Sequence, residues 1–113
     1  MEKCIFCKIA SKEAPAVIRY EDNDFIAFDD ICPSATIHIV LIPKKHIEGI
    51  SQISEVDSTL MGRMIIRAKN IAKTVNLEKD GYRLVINDGY DAGQVVHHLH
   101  MHILGGNILG PLA

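Results

Sequence analysis

The sequence predicts an α+β domain: an antiparallel sheet covered on one face by one long helix, with a short helix at the N-terminus. Three observations predict it. Five short runs rich in β-branched, aromatic or alternating apolar residues are bounded by turn-forming residues. A single stretch, beginning at Ser54, changes to helical period. The runs stand before and after that stretch and are joined by hairpin-like connections.

The elements follow in order. Ile5 to Ile9 can form the short helix, with Ser11 to Pro15 leading out of it. Val17 to Tyr20 and Phe25 to Phe28 read as strands joined by the polar turn Glu21-Asp22-Asn23-Asp24. Ile37 to Ile42 is a β-branched run stopped by Pro43, with His38, Val40 and Ile42 on one face, and is expected as a central strand. In the long helix Met61, Met64, Ile65, Ala68, Ile71, Ala72 and Val75 recur at helical spacing, and Ser54 with Asp57 three residues on is a start signal. The two methionines read as core filling. Asp80-Gly81 turns the chain into Tyr82 to Ile86, and a last strand follows after a loop.

The 113 residues, 48% of them hydrophobic and 23% charged, suit one domain spanning 1–113 with one core. A formal charge of −2 gives no basic surplus pointing to nucleic acid. No apolar run approaches the ~20 residues that span a bilayer, and no basic segment followed by an apolar stretch opens the chain. The expectation is a cytoplasmic protein with neither nucleic acid nor membrane as partner. Three cysteines, an odd number, argue against a disulfide framework.

His98-Leu99-His100-Met101-His102 carries the chemistry, because in an extended strand the three imidazoles share one face. Several ionisable groups kept out of water on one apolar strand imply a functional role. Same-face neighbours lie ~7 Å apart, too far for all three to hold one tetrahedral metal on a straight strand. One of them can serve a metal, or the central ring can act as a nucleophile with its neighbours orienting it. His97 alternates to the opposite face and is read as a bystander. Cys4 and Cys7 form a C-x-x-C pair: half a zinc site, a redox motif or chance, with zinc the better reading if two more ligands exist. Asn87 to Gln94, with Gly89 and Gly93, permits close approach of backbone amides to an anion such as a phosphate.

Together these residues resemble a known pattern. Gln94 to Gly106 is similar to the signature of the histidine-triad (HIT) family, and Gly105-Gly106 to its Hint branch. Cys4 to Ile9, Ala27 to Ile31, Ile42 to His46 and Asn87 to Gly89 fall in the family's order. The resemblance implies a homodimer whose sheets join into one continuous sheet. It also implies a hydrolase of purine nucleoside 5′-phosphoramidates or aminoacyl-adenylates, cleaving at the α-phosphate through a nucleotidyl-histidine. By that resemblance His100 is the nucleophile, His102 contacts phosphate oxygens, and His38 orients the nucleophile. Asp30 accepts from the ribose hydroxyls; Ile5, Phe6, Ile9, Phe28 and Ile31 surround the base; Asn87, Gly93, Val95 and Val96 serve the phosphate side. Cys4, Cys7, His46 and His98 match a structural zinc set.

This chain departs from the Hint pattern at Val95, where a hydroxyl residue is usual, and in its Ile108 to Ala113 ending, which has no Trp. Rival readings are a Fhit-like dinucleoside polyphosphate hydrolase, a nucleotide-binding scaffold with incidental hydrolysis, and a zinc-dependent redox sensor. The first of these lacks support from Leu104-Gly105-Gly106, where such relatives carry Pro-Arg.

Overall fold

A computed structural model describes residues 4–113. The elements are α1 (Ile5–Ala10), β1 (Ile18–Glu21), β2 (Phe25–Asp29), β3 (Ile37–Pro43), α2 (Ser58–Thr74), β4 (Tyr82–Val85) and β5 (Met101–Gly105). The five strands form one sheet in the order β1-β2-β3-β5-β4, with every neighbouring pair antiparallel. The α+β expectation holds, and the run ending in Pro43 is the central strand. Among the described residues no helix is long and apolar enough to cross a membrane.

Strand alternation divides the core into two layers of unequal cover. Phe25, Ala27, Ile39, Leu41, Met101 and Ile103 face α2, which answers with Met64, Ala68, Ile71 and Ala72. Those four lie at i, i+4, i+7 and i+8, one helical stripe. Ile65, read from the sequence as part of that stripe, stands half exposed. The helix ends in a Schellman motif: Asn76 adopts φ 63°, its N–H donates to Lys73 O at 3.1 Å, and Leu77 N–H donates to Ala72 O at 2.9 Å. At its start the Ser54–Asp57 signal is used one turn early. Ser54 N–H donates to Asp57 Oδ2 at 3.0 Å around a 3₁₀ turn, Glu55–Asp57, and the α-helix begins at Ser58.

On the other face Ile26, Phe28, Val40 and Ile42 are covered by α1, whose buried contribution is Ile9. A six-residue helix covers only part of a sheet this wide. His38 and His102 belong to this thinly covered face, because Val40 pairs with His102 and His38 with Leu104 in register. The site is therefore placed by an imbalance in the two layers.

The β1–β2 turn is closed by Asp22, whose Oδ1 accepts the N–H of Asp24 and of Phe25, both at 2.8 Å. Its Oδ2 accepts from Tyr20 Oη at 2.6 Å and Arg67 Nε at 2.7 Å, tying α2 to the hairpin. Burial works against the Asp22 charge, yet these hydrogen bonds hold its carboxyl well below the usual range.

Candidate functional site

The last strand is shorter than its sequence pattern implies. β5 begins at Met101, so His98 and His100 lie on an irregular segment that leads into it. That segment bonds to residues 43–47 through Leu99 N–H to Ile47 O at 2.6 Å. The bend gives the histidines different neighbours. His98 turns toward the cysteines, while the His100 and His102 rings meet edge to face with centroids 5.0 Å apart. His97 is exposed, as its parity predicted.

Each imidazole of the site has its tautomer set by a neighbour that can act in one sense only. Burial lowers the pKa of His38, opposed by the charge of Asp30. Burial and the neighbouring His100 and His38 push His102 down to about 4, again against Asp30. Both rings are neutral at pH 7. The N–H of Ser34 donates to His38 Nδ1 at 2.9 Å, which puts the ring proton of His38 on Nε2. That Nε2–H donates to His102 Nδ1 at 2.8 Å, with Asp30 Oδ2 at 3.4 Å beside it. His102 must then carry its own proton on Nε2, as a donor facing outward from the pair. His100 Nδ1 lies 2.6 Å from the carbonyl oxygen of His98. A carbonyl only accepts, so this nitrogen holds the proton and Nε2 of neutral His100 keeps a free lone pair.

The expected partner of His38 is corrected by this geometry. His38 hydrogen-bonds His102 and not His100, whose orientation comes from the His98 carbonyl. Register explains it: β3 and β5 set His38 opposite Leu104, within side-chain reach of His102, while His100 lies before the strand begins.

The second cluster joins Cys4, Cys7, His46 and His98. Cys4 Sγ lies 3.6 and 3.4 Å from Nδ1 of His46 and His98, and Cys7 Sγ lies 3.2 and 3.5 Å from the same atoms. The two Nδ1 atoms are 3.2 Å apart. A tetrahedron with Zn–N of ~2.05 Å and Zn–S of ~2.3 Å has N–N and N–S edges of about 3.3 and 3.6 Å. The donor set therefore has the size of a zinc site. His98, fully buried, donates from Nε2 to Pro43 O at 2.8 Å, which leaves Nδ1 unprotonated toward the sulfurs. A second group, Asp30, His38 and His102, has its ligand atoms equally close. Its 2.8 Å N–N separation and the Ser34 N–H on His38 fit a shared proton better than a metal.

The residues expected around the base divide in two. Ile9 and Phe28 are buried and form a floor. Phe6 stacks edge-on above Phe28, at 5.3 Å between centroids, and against His100 at 5.1 Å. Ile5 is half exposed and Ile31 is 94% exposed, so Ile31 stands in solvent and walls nothing in the single chain. Asp30 holds Cys32 N–H on Oδ1 at 2.8 Å. Of the residues expected to serve a phosphate, Asn87 and Val96 are half-buried and Gly93 takes a left-handed φ of 83°, while Val95 is 84% exposed.

Sequence reasoning missed three residues that shape this side. Gln94, Asp88 and Ser51 are tied by side-chain bonds to backbone or to one another. Asp88 accepts the N–H and the Oγ–H of Ser51, and these bonds hold its carboxyl below its ordinary value. In a sequence, a polar side chain that turns back on the main chain looks like one that faces water.

Comparison with known proteins agrees with this geometry. The HIT domain family model matches residues 11–108. The chain is 45% identical over 105 residues to Protein HitA of Neisseria gonorrhoeae, covering 93% of this chain and 97% of that protein. It is similar to the crystal structure of a HIT family hydrolase from Legionella pneumophila Philadelphia 1, with TM-score 0.92 and 46% identity over 94% of this chain and 95% of the other. A zinc-bound histidine triad family protein from Mycobacterium smegmatis matches with TM-score 0.79 and 34% identity, covering 96% and 80%.

Proposed function

The chain belongs to the HIT domain family, and on that premise we propose that it hydrolyses purine nucleoside 5′-phosphoramidates or aminoacyl-adenylates at the α-phosphate. The observation that carries the reading is the 2.6 Å contact between His100 Nδ1 and the His98 carbonyl, which leaves a lone pair on His100 Nε2. In the first step that lone pair attacks phosphorus and forms a P–N bond, while the bond from phosphorus to the leaving group breaks; a carboxylate leaves as the anion, and an amine leaves after taking up a proton from solvent water. The ring becomes cationic, and the His98 carbonyl stabilises it through the Nδ1 proton. In the second step water attacks phosphorus and gives up a proton to solvent, the P–N bond breaks, and the nucleoside monophosphate leaves with neutral His100 restored. His102 donates its Nε2 proton in a hydrogen bond to a phosphoryl oxygen as charge develops there. The relay from Ser34 through His38 keeps that proton in place.

Asp30 takes the ribose hydroxyls, and the purine lies against Phe6 and Ile5 over the floor of Ile9 and Phe28. Asn87, Gly93, Val95 and Val96 serve the phosphate. Cys4, Cys7, His46 and His98 hold a structural zinc: four protein ligands close the coordination sphere, so the ion would cross-link α1 to the body of the domain. Turnover measured across adenosine 5′-phosphoramidate, an aminoacyl-adenylate and a diadenosine polyphosphate tests the reading. Preference for the first two supports it; preference for the dinucleotide, or no turnover of any, contradicts it.

A symmetric homodimer belongs to the same reading. Among the described residues β4 ends the sheet with its outer edge unpaired, and α2 leaves Ile65 and Ile66 half exposed. A groove of about 610 Å³ beside that edge is lined by Leu77, Tyr82, Ile108 and Leu109 among others. Light scattering should report twice the 12.5 kDa chain mass, and a fully active monomer at micromolar concentration would contradict the pairing.

A further inference from the structure

Gln94 is 9% exposed, and each hydrogen bond of its side chain ends on the main chain of a different stretch. Its Oε1 accepts Gly89 N–H at 2.8 Å; its Nε2 donates to Glu48 O at 2.8 Å and to Val96 O at 3.2 Å. Gln94 N–H returns to Gly89 O at 3.1 Å, closing residues 89–94 into a ring. Both amide protons are spent, so the side chain has no donor left for a substrate. Gly49 shows how tightly this joint is docked: a Cβ there would collide with Asp88 Oδ1 and lie 3.4 Å from both polar atoms of the Gln94 amide.

The three stretches so joined are those that the chemistry needs in register. Gly89 opens the glycine-bearing loop. Glu48 follows the segment that carries His46 and the Pro43 carbonyl. Val96 accepts a second bond, from His98 N–H at 2.9 Å, immediately before the carbonyl that fixes His100. Between Gln94 and Met101 there is no helix or strand to impose this arrangement. We propose that Gln94 is a positioning residue, which untouched by substrate holds the phosphate-side loop and the His98–His100 backbone in working register. The proposal rests on the nucleotide reading above.

Two variants test it. Gln94→Glu keeps the acceptor for Gly89 N–H but turns an acceptor toward the Glu48 and Val96 carbonyls. Gln94→Met keeps the length and removes every bond without repulsion. Affinities for adenosine and AMP are measured by calorimetry beside kcat on adenosine 5′-phosphoramidate. The expected result is an adenosine Kd within about twofold of wild type, since the base and ribose contacts lie on α1 and at Asp30. The advantage of AMP over adenosine should shrink about tenfold, and kcat should fall by roughly 30- to 100-fold, as misplacement near the reacting atoms predicts. If Gln94→Glu does not fold, Gln94→Met carries the same readouts. An unchanged AMP advantage and kcat overturn the proposal. So does a parallel loss of adenosine and AMP affinity, or failure of both variants to fold, because either assigns Gln94 to stability alone. Wild-type protein that binds neither ligand overturns the nucleotide reading, and this proposal with it.

Discussion

Replacing His100 with alanine is expected to lower turnover by on the order of 10⁴-fold or more while AMP still binds within a few-fold of wild type. The separation follows from where the contacts lie. In the proposed reaction the ring supplies the lone pair that attacks phosphorus, and the lone pairs of its neighbours His102 and His38 are taken: His102 Nδ1 accepts from His38, and His38 Nδ1 accepts from Ser34. In the proposed reading the purine and ribose contact Phe6, Ile5 and Asp30, none of which depends on the His100 side chain for its backbone position. His97→Ala is the control, since His97 is exposed and lies outside both clusters, and its turnover should match wild type. Steady-state kinetics with AMP inhibition constants check both halves. A His100→Ala enzyme with wild-type turnover contradicts the mechanism.

The second large effect concerns the Cys2His2 set. α1 has six residues, too few to be stable as a helix by itself, and it buries only Ile9 fully. What pins it is the cluster joining Cys4 and Cys7 to His46 and His98. Freshly purified protein should carry close to one zinc per chain. Cys7→Ser should lose the metal and melt on the order of 10 °C lower, because zinc binding and folding are coupled. Nucleotide affinity should fall as well, since Phe6 and Ile5 ride on α1, whereas kcat at saturation should change less. Elemental analysis with calorimetric melting checks this. Metal-free wild type, or an unchanged melting temperature in Cys7→Ser, contradicts the assignment.

The strands were legible because their apolar and β-branched runs are bounded by turn-forming residues, and β2, β3 and β4 fall within a residue of their expected ends. The long helix was legible from Met64, Ala68, Ile71 and Ala72, but its first residue was not. Ser54 and Asp57 cap a 3₁₀ turn as readily as an α-helix, and nothing local distinguishes the two. The start of β5 was hidden for a different reason. Alternation continues through His98 and His100 in the sequence, while long-range bonds from His98 to Pro43 and from Leu99 to Ile47 bend the backbone out of strand geometry. The zinc set became legible only through the family resemblance, since its members lie 39 to 94 residues apart across the two cysteines and two histidines. His38 shows the limit of such transfer: the resemblance indicated a site residue, but the atom it touches depends on register between β3 and β5. Gln94 stood in the sequence as the first residue of the signature segment, but its bonding role was illegible, because its three side-chain bonds end on backbone groups that every residue possesses.

Everything proposed for His100 turns on the covalent step, which rapid quenching can observe. Wild-type protein is mixed with adenosine 5′-phosphoramidate labelled at phosphorus and stopped within the first turnover. Label should be found attached to the protein through an acid-labile P–N bond on His100, appearing before free AMP and absent in His100→Ala. Full turnover with no protein-bound label at any time, or label that persists in His100→Ala, would contradict the nucleotidyl-histidine mechanism.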